Sequence, residues 1–234
     1  MALDEAGVPD PGATQPADAQ FEAGRRRQRF WAIPIIGGVA KTVILVPHLV
    51  ILAVLTLLFS PAFSISTSPA RDGRDARQLT IAGLAFLILW VPVLFGGQMP
   101  QWGYAMVGGF LRWSLRVYAF FLGLSDRYPP FSMHSTGHPV EVTFHIPPRN
   151  NRWWAVPILG FYVKQIILIP HFICILAIGM AVFALWLVMW IPVLVNGEYP
   201  AGPYYLATGL SRWVLRVSAF QGGLTDRYPP FSLD

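Results

Sequence analysis

The sequence predicts an all-α integral membrane protein made of two tandem repeats, each a transmembrane helical hairpin followed by an amphipathic interfacial helix, with a short β-strand in the linker between them. Three observations carry this expectation. Hydrophobic residues make up 54% of the 234-residue chain and charged residues 12%, and the mean hydropathy is +0.49, a balance outside the range of ordinary soluble domains. Apolar stretches recur at the length a helix needs to cross ~30 Å of hydrocarbon, about 20 residues. Finally, GLSDRYPPFS at 123–132 returns as GLTDRYPPFS at 223–232, as the end of a duplicated unit would.

Residues 1–28 are rich in Pro, Ala, Gly and acids and lack the basic start and apolar core of a signal peptide. They read as a disordered cytoplasmic tail. Arg25, Arg26, Arg27 and Arg29 stand just before the first apolar segment, where they hold that end in the cytoplasm. The first repeat, 29–132, then opens with a long apolar run at 31–59 and continues with a shorter one at 80–95. RFWAIPIIGGVAKTVILVPHLV at 29–50 matches RWWAVPILGFYVKQIILIPHFI at 152–173 with an offset of 123, whereas WVPVLFGGQMP at 90–100 matches WIPVLVNGEYP at 190–200 with an offset of 100. The first copy therefore carries an insertion, placed by its polar content at 60–79 and read as an external loop.

The third element of each unit is long enough to cross, but Arg112 and Arg116, like Arg212 and Arg216, would then sit near the bilayer centre. At helical spacing Gly109, Arg112, Arg116, Ala119 and Gly123 share one side, which reads as an amphipathic helix lying in the interface. Between the units, at 133–150, Val140, Val142, Phe144 and Ile146 alternate with Glu141, Thr143 and His145, the pattern of a half-buried strand. The second repeat, 151–234, has apolar runs at 153–178 and 181–195 with no charge from Ile166 to Gly197. Two crossings with a tight turn near Gly179 are expected, and a re-entrant hairpin covered by protein is the alternative. With two crossings per unit only Arg71, Arg74 and Arg77 of the 17 Lys and Arg fall outside. That count satisfies the positive-inside rule and puts both termini of a multi-pass protein in the cytoplasm.

The order of a strand PVEVTFHIP, then RWWAVPILGFYVKQIILIPHF, NGEYP and RWVLRVSAFQGGLTDRYPPFSL resembles the bacterial membrane family catalogued as domain of unknown function 4389. The resemblance covers most of 139–233 and, without a leading strand, 29–132, as two tandem copies. It implies a location in the bacterial cytoplasmic membrane and a compact helical unit, and it implies no activity. The loop at 60–79 departs from the shorter connection usual in that family.

Several residues are candidates for function. His48 and His171 each follow a proline inside an apolar run, and ionisable groups there are costly enough to suggest a role. Either each ring bonds a carbonyl freed by the proline, or the two units bring the rings together around a haem or metal. Lys41 and Lys164, seven residues earlier, are expected to snorkel to the interface. With Arg112, Arg116, Arg212 and Arg216 they form a basic surface for anionic phospholipid headgroups. Asp126 with Arg127, and Asp226 with Arg227, read as ion pairs at a helix stop made by the following prolines. His134, His138, His145 and Glu141 lack metal-ligand spacing because Pro139 intervenes, and the lone Cys174 reads as a buried thiol. No catalytic constellation accompanies these groups, and the pI of about 9.7 follows from the membrane-side arginines without invoking nucleic acid. The expected function is that of a non-enzymatic accessory or scaffold protein binding anionic lipid and a membrane partner. A transporter or a haem- or metal-binding redox protein using His48 and His171 is the alternative.

Overall fold

The computed structural model describes residues 15–21, 25–33, 36–59, 91–145, 147, 149–155 and 159–234; the loop expected at 60–79 lies outside them. Most of the described chain is helical, and a small antiparallel sheet joins its two halves.

Strand β1, Ala17–Phe21, pairs with β2, Val140–Phe144, with Ala17 opposite Phe144, Ala19 opposite Val142 and Phe21 opposite Val140. Ala17, Ala19, Val140 and Val142 point inward and are buried. This corrects the expectation of a disordered tail over 1–28 within its described part. An isolated two-stranded ribbon is marginal in water, so the inner face of this one is held by the helices beneath it. The strand at 140–144 is where the alternation predicts it.

Helix α1, Ile36–Phe59, follows a 3-10 turn at Arg29–Ala32 that packs tightly on its start. A Cβ on Gly37 would fall 2.4 Å from the Trp31 carbonyl oxygen, so only glycine lets the turn fold back there. The same contact recurs at Gly160, where a Cβ would lie 2.5 Å from Trp154 O. Helix α2, Gln101–Leu122, is stopped by Gly123 at φ 76°, whose left-handed turn lets Leu124 N–H bond Ala119 O at 2.8 Å.

Helix α3, Leu159–Asn196, runs unbroken for 38 residues. The expected hairpin with a turn at Gly179 does not form. A break there would strand about four N–H and four C=O groups in apolar surroundings, and the sequence from 166 to 197 supplies no charged group to satisfy them. Glycine alone weakens a helix by only about 1 kcal/mol. Helix α4, Ala201–Gln221, follows after the left-handed Gly197 and Pro200.

Two crossed junctions tie these elements together. Arg27 N–H donates to Gly197 O at 2.9 Å and Tyr199 N–H to Arg25 O at 2.9 Å. At the other junction Asn150 N–H donates to Gly97 O at 2.9 Å, and Met99 N–H donates to Asn150 Oδ1 at 3.2 Å. Each segment entering a long apolar helix thus docks on the turn that opens the shorter helix of the other half. Helices α2 and α4 run in opposite directions between the two junctions, with the sheet across their middles. The principal core lies there, built from the inward faces of the strands and of α2 and α4 together with Val182 and Val193 of α3. The stretches Gly37–Thr56 and Tyr162–Asn196 are long and apolar enough to cross a membrane, with mean hydropathy 2.2 and 2.7.

Candidate functional site

The histidines sit in two separate aromatic boxes. His48, 0% exposed, accepts the Trp113 indole N–H on Nδ1 at 2.8 Å and stacks on Phe131, with ring centroids 3.7 Å apart and planes 7° apart. An Nδ1 that accepts leaves the hydrogen on Nε2, which contacts the Tyr128 hydroxyl at 2.8 Å. His171 repeats this with Trp213 at 2.9 Å and Phe231 at 3.8 Å, while its Nε2 has no hydrogen-bond partner among the described residues. The two rings belong to clusters with no member in common, one around Leu45, Trp113 and Phe120, the other around Leu168, Trp213 and Phe220. The histidines therefore bond neither freed carbonyls nor one another's surroundings; each is clasped by the Tyr and Phe of its own DRYPPFS motif.

The two aspartates accept backbone donors at the junctions. Asp126 accepts Gln28 N–H at 2.6 Å and Asp226 accepts Asn151 N–H at 2.6 Å, fixing the chain just before each 3-10 turn. Arg127 donates to Gly137 O at 3.0 Å. Both carboxylates, expected in ion pairs with Arg127 and Arg227, are thus engaged across the junctions. Burial raises the pKa of Asp226, opposed by the Asn151 hydrogen bond and by Lys164.

The basic groups also depart from expectation. Arg116 and Arg216 are 0% and 1% exposed. Arg116 donates to His134 O at 2.9 Å and Val140 O at 3.3 Å, with Glu141 at 3.7 Å. Arg216 donates to Ser232 O and Asp234 O, each at 2.5 Å. A planar guanidinium with five donors suits such a ring of carbonyls, and groups so buried cannot reach a lipid headgroup. Arg112 and Arg212 are half-buried and donate to Val142 O at 3.0 Å and Ala19 O at 2.9 Å, over the rings of Phe144 and Phe21. The polar stripe seen in the sequence is thus the seat of the sheet.

Lys41 and Lys164 do not snorkel either; they are 7% and 1% exposed. Lys164 Nζ donates to Phe220 O at 2.9 Å and lies over the Trp154 and Phe220 rings. Lys41 Nζ lies 5.3 Å from the Phe120 ring centroid and 5.8 Å from that of Trp31. It also lines a cavity of about 340 Å³ between α1, the end of α2 and the second half of α3, together with Arg27, Asp126, Trp31, Trp186 and Trp190. This cavity had no signal in the sequence, because its walls come from three separate segments, at 27–41, 121–126 and 186–199. Among the described residues no three His, Cys, Asp or Glu side chains gather as a metal site, and Cys174 is a free, half-buried thiol.

The fold and these contacts define a mostly helical protein with two apolar candidate spans and a small sheet joining its halves. A family described as domain of unknown function (DUF4389) matches residues 159–232, in a single copy that covers α3, α4 and the closing motif. The chain is similar to that family over this stretch. No curated protein and no solved structure matches it.

Proposed function

We propose that the chain is a non-enzymatic protein of the bacterial cytoplasmic membrane, two equivalent units related by a pseudo-twofold axis, that binds anionic lipid and a membrane-protein partner. The exposed apolar helices carry this reading. Within an apolar 18-residue window of the Gly37–Thr56 stretch and of the Tyr162–Asn196 stretch only 17% and 11% is buried by the rest of the protein, and side chains such as Val43, Ile166, Ile173, Leu176, Met180 and Val195 stand open. Patches of that size on a monomer call for lipid or a partner.

Corresponding contacts support the two-unit reading. Ala19 pairs with Val142, its counterpart 123 residues later, so the axis passes between them. In the two boxes His48 and His171 follow the same offset, and the caps at Asp126 and Asp226 and the junctions at Gly97 and Gly197 follow the offset of 100 that holds past the insertion.

The layout favoured by these contacts is embedding from one side. Open sheet edges are not tolerated in hydrocarbon, so the sheet, and with it the middles of α2 and α4, lies on the aqueous side. Both junctions then share one interface. Helix α3 starts at one junction and ends at the other, which makes it an arch dipping into the near leaflet. At 1.5 Å per residue it measures about 57 Å, against about 33 Å for α2, which joins the same junctions. The cytoplasmic side is assigned from Arg25, Arg26, Arg27 and Arg29, with both termini there. Alkaline carbonate treatment of membranes tests the embedding: the protein is expected to stay in the pellet and to need detergent for release. Release by carbonate alone would refute it.

A further inference from the structure

The cavity beside Lys41 has the makings of a ligand site. Its volume, about 340 Å³, falls within the range of small-molecule pockets, roughly 300–1,000 Å³. One wall is aromatic and apolar, with Trp31, Trp186, Met189 and Trp190, and the other end is charged, with Arg27, Lys41 and Asp126. Arg27 has its guanidinium on Gly123 O and Leu124 O at the junction. Asp126 is held by Gln28 N–H. Lys41 Nζ is different: the residue is only 7% exposed, and among the described residues no acceptor bonds its ammonium. Its counterpart Lys164 is satisfied by Phe220 O and lies outside the cavity.

An ammonium held largely away from water without a bonded acceptor is disfavoured unless an anion pairs with it, and Asp126 acts on Lys41 only through space. Two cations against one carboxylate leave the charged end net positive. We propose that this cavity binds one amphiphile with a single anionic head, a carboxylate or phosphate bonded to Lys41 Nζ, and an acyl chain lying along Trp31, Trp186, Met189 and Trp190. The proposal rests on the membrane reading for the ligand's origin, since the exposed apolar helices would bring lipid to the cavity mouth. It takes lipid binding away from the buried arginines and gives it to one site. A free fatty acid and an anionic phospholipid share the chemistry, and competition separates them.

The test is equilibrium binding of radiolabelled palmitate to the full chain purified in a non-ionic maltoside. One saturable site per chain is expected. Lys41→Met should weaken binding about tenfold, the worth of one charge-assisted hydrogen bond, whereas Lys164→Met should leave it unchanged. Gly38 lines the cavity and a Cβ there meets nothing within 4 Å, so Gly38→Phe should fill the space, keep the helical circular dichroism and abolish binding. Displacement by phosphatidylglycerol assigns the site to phospholipid, and displacement by unlabelled palmitate alone assigns it to fatty acid. Equal affinity in wild type and Lys41→Met, retained binding in Gly38→Phe, or displacement by phosphatidylcholine as effective as by phosphatidylglycerol would overturn the proposal. Carbonate extraction reads the membrane assignment separately, so a protein that stays in the pellet but binds no palmitate contradicts only the site.

Discussion

At the scale of single residues, the buried cations Arg116, Arg216 and Lys164 donate to backbone carbonyls, and Arg116 adds Glu141 at 3.7 Å. His138 shows what that implies for pH. It is 3% exposed, its Nδ1 accepts Val140 N–H at 3.1 Å, and its Nε2 faces Arg127 O at 3.2 Å. That arrangement needs the neutral ring with hydrogen on Nε2. Burial lowers its pKa below the ordinary 6.5, helped by Arg116 and Arg127 and opposed by the Arg127 carbonyl bond and Glu141. In the window from the folded-state value up to 6.5 the unfolded chain holds more protons, so stability falls as pH drops below 6.5. Thermal unfolding in detergent should show that slope, and His138→Gln should flatten it; an unchanged slope would assign it to another group.

The residue types at these positions were legible, but their roles were not. Arginines at 112 and 116 read as an interfacial stripe because helical periodicity sorts residues by polarity, and polarity does not distinguish a face that meets lipid headgroups from one that meets strand carbonyls. Pairing of His48 with Trp113, 65 residues away, and of His171 with Trp213 had no local sign. The repeated Tyr and Phe of DRYPPFS were visible as devices, though their place over the histidines became clear only in three dimensions.

At the scale of elements, β1 is the segment that sequence reading missed and the one most easily tested. Ala17 and Ala19 have weak strand propensity, so PADAQF at 16–21 reads as tail. Its signal was the offset of 123, which sets Pro16, Asp18 and Phe21 against Pro139, Glu141 and Phe144. Ala19 is fully buried and its carbonyl receives Arg212. Ala19→Glu would bury an unpaired carboxylate and should destabilise the fold by about 3 kcal/mol, measured by denaturant unfolding in detergent; a loss under about 0.5 kcal/mol, typical of surface positions, would mean that β1 is not packed as described. The long helix α3 failed the opposite way. Its runs at 153–178 and 181–195 read as two crossings by analogy with the first copy and its charged loop, yet backbone pairing in apolar surroundings favours continuity over a turn at a lone glycine.

At the scale of the whole molecule, the crossed junctions are what the proposed layout is built on. Arg27 with Gly197, and Asn150 with Gly97, fasten the beginning of each apolar stretch to the other half, so the two halves cannot separate without breaking both. The sheet then sits over α2 and α4 on the side away from the exposed apolar helices. The proposed embedding follows from where that sheet can lie, and it differs from the two-crossing hairpin that charge counting favoured. Charge counting assigns a side to each basic group; it does not distinguish a helix that returns from one that never left.

The most direct measurement is labelling of a cysteine at Gly179, the midpoint of α3, in a Cys174→Ala background. A membrane-impermeant maleimide applied outside intact cells, and to inverted vesicles for the inner face, should leave Gly179→Cys unmodified from both sides, while Ser132→Cys reacts only in inverted vesicles. Modification of Gly179→Cys from outside would place a turn at the far surface and contradict the one-sided account.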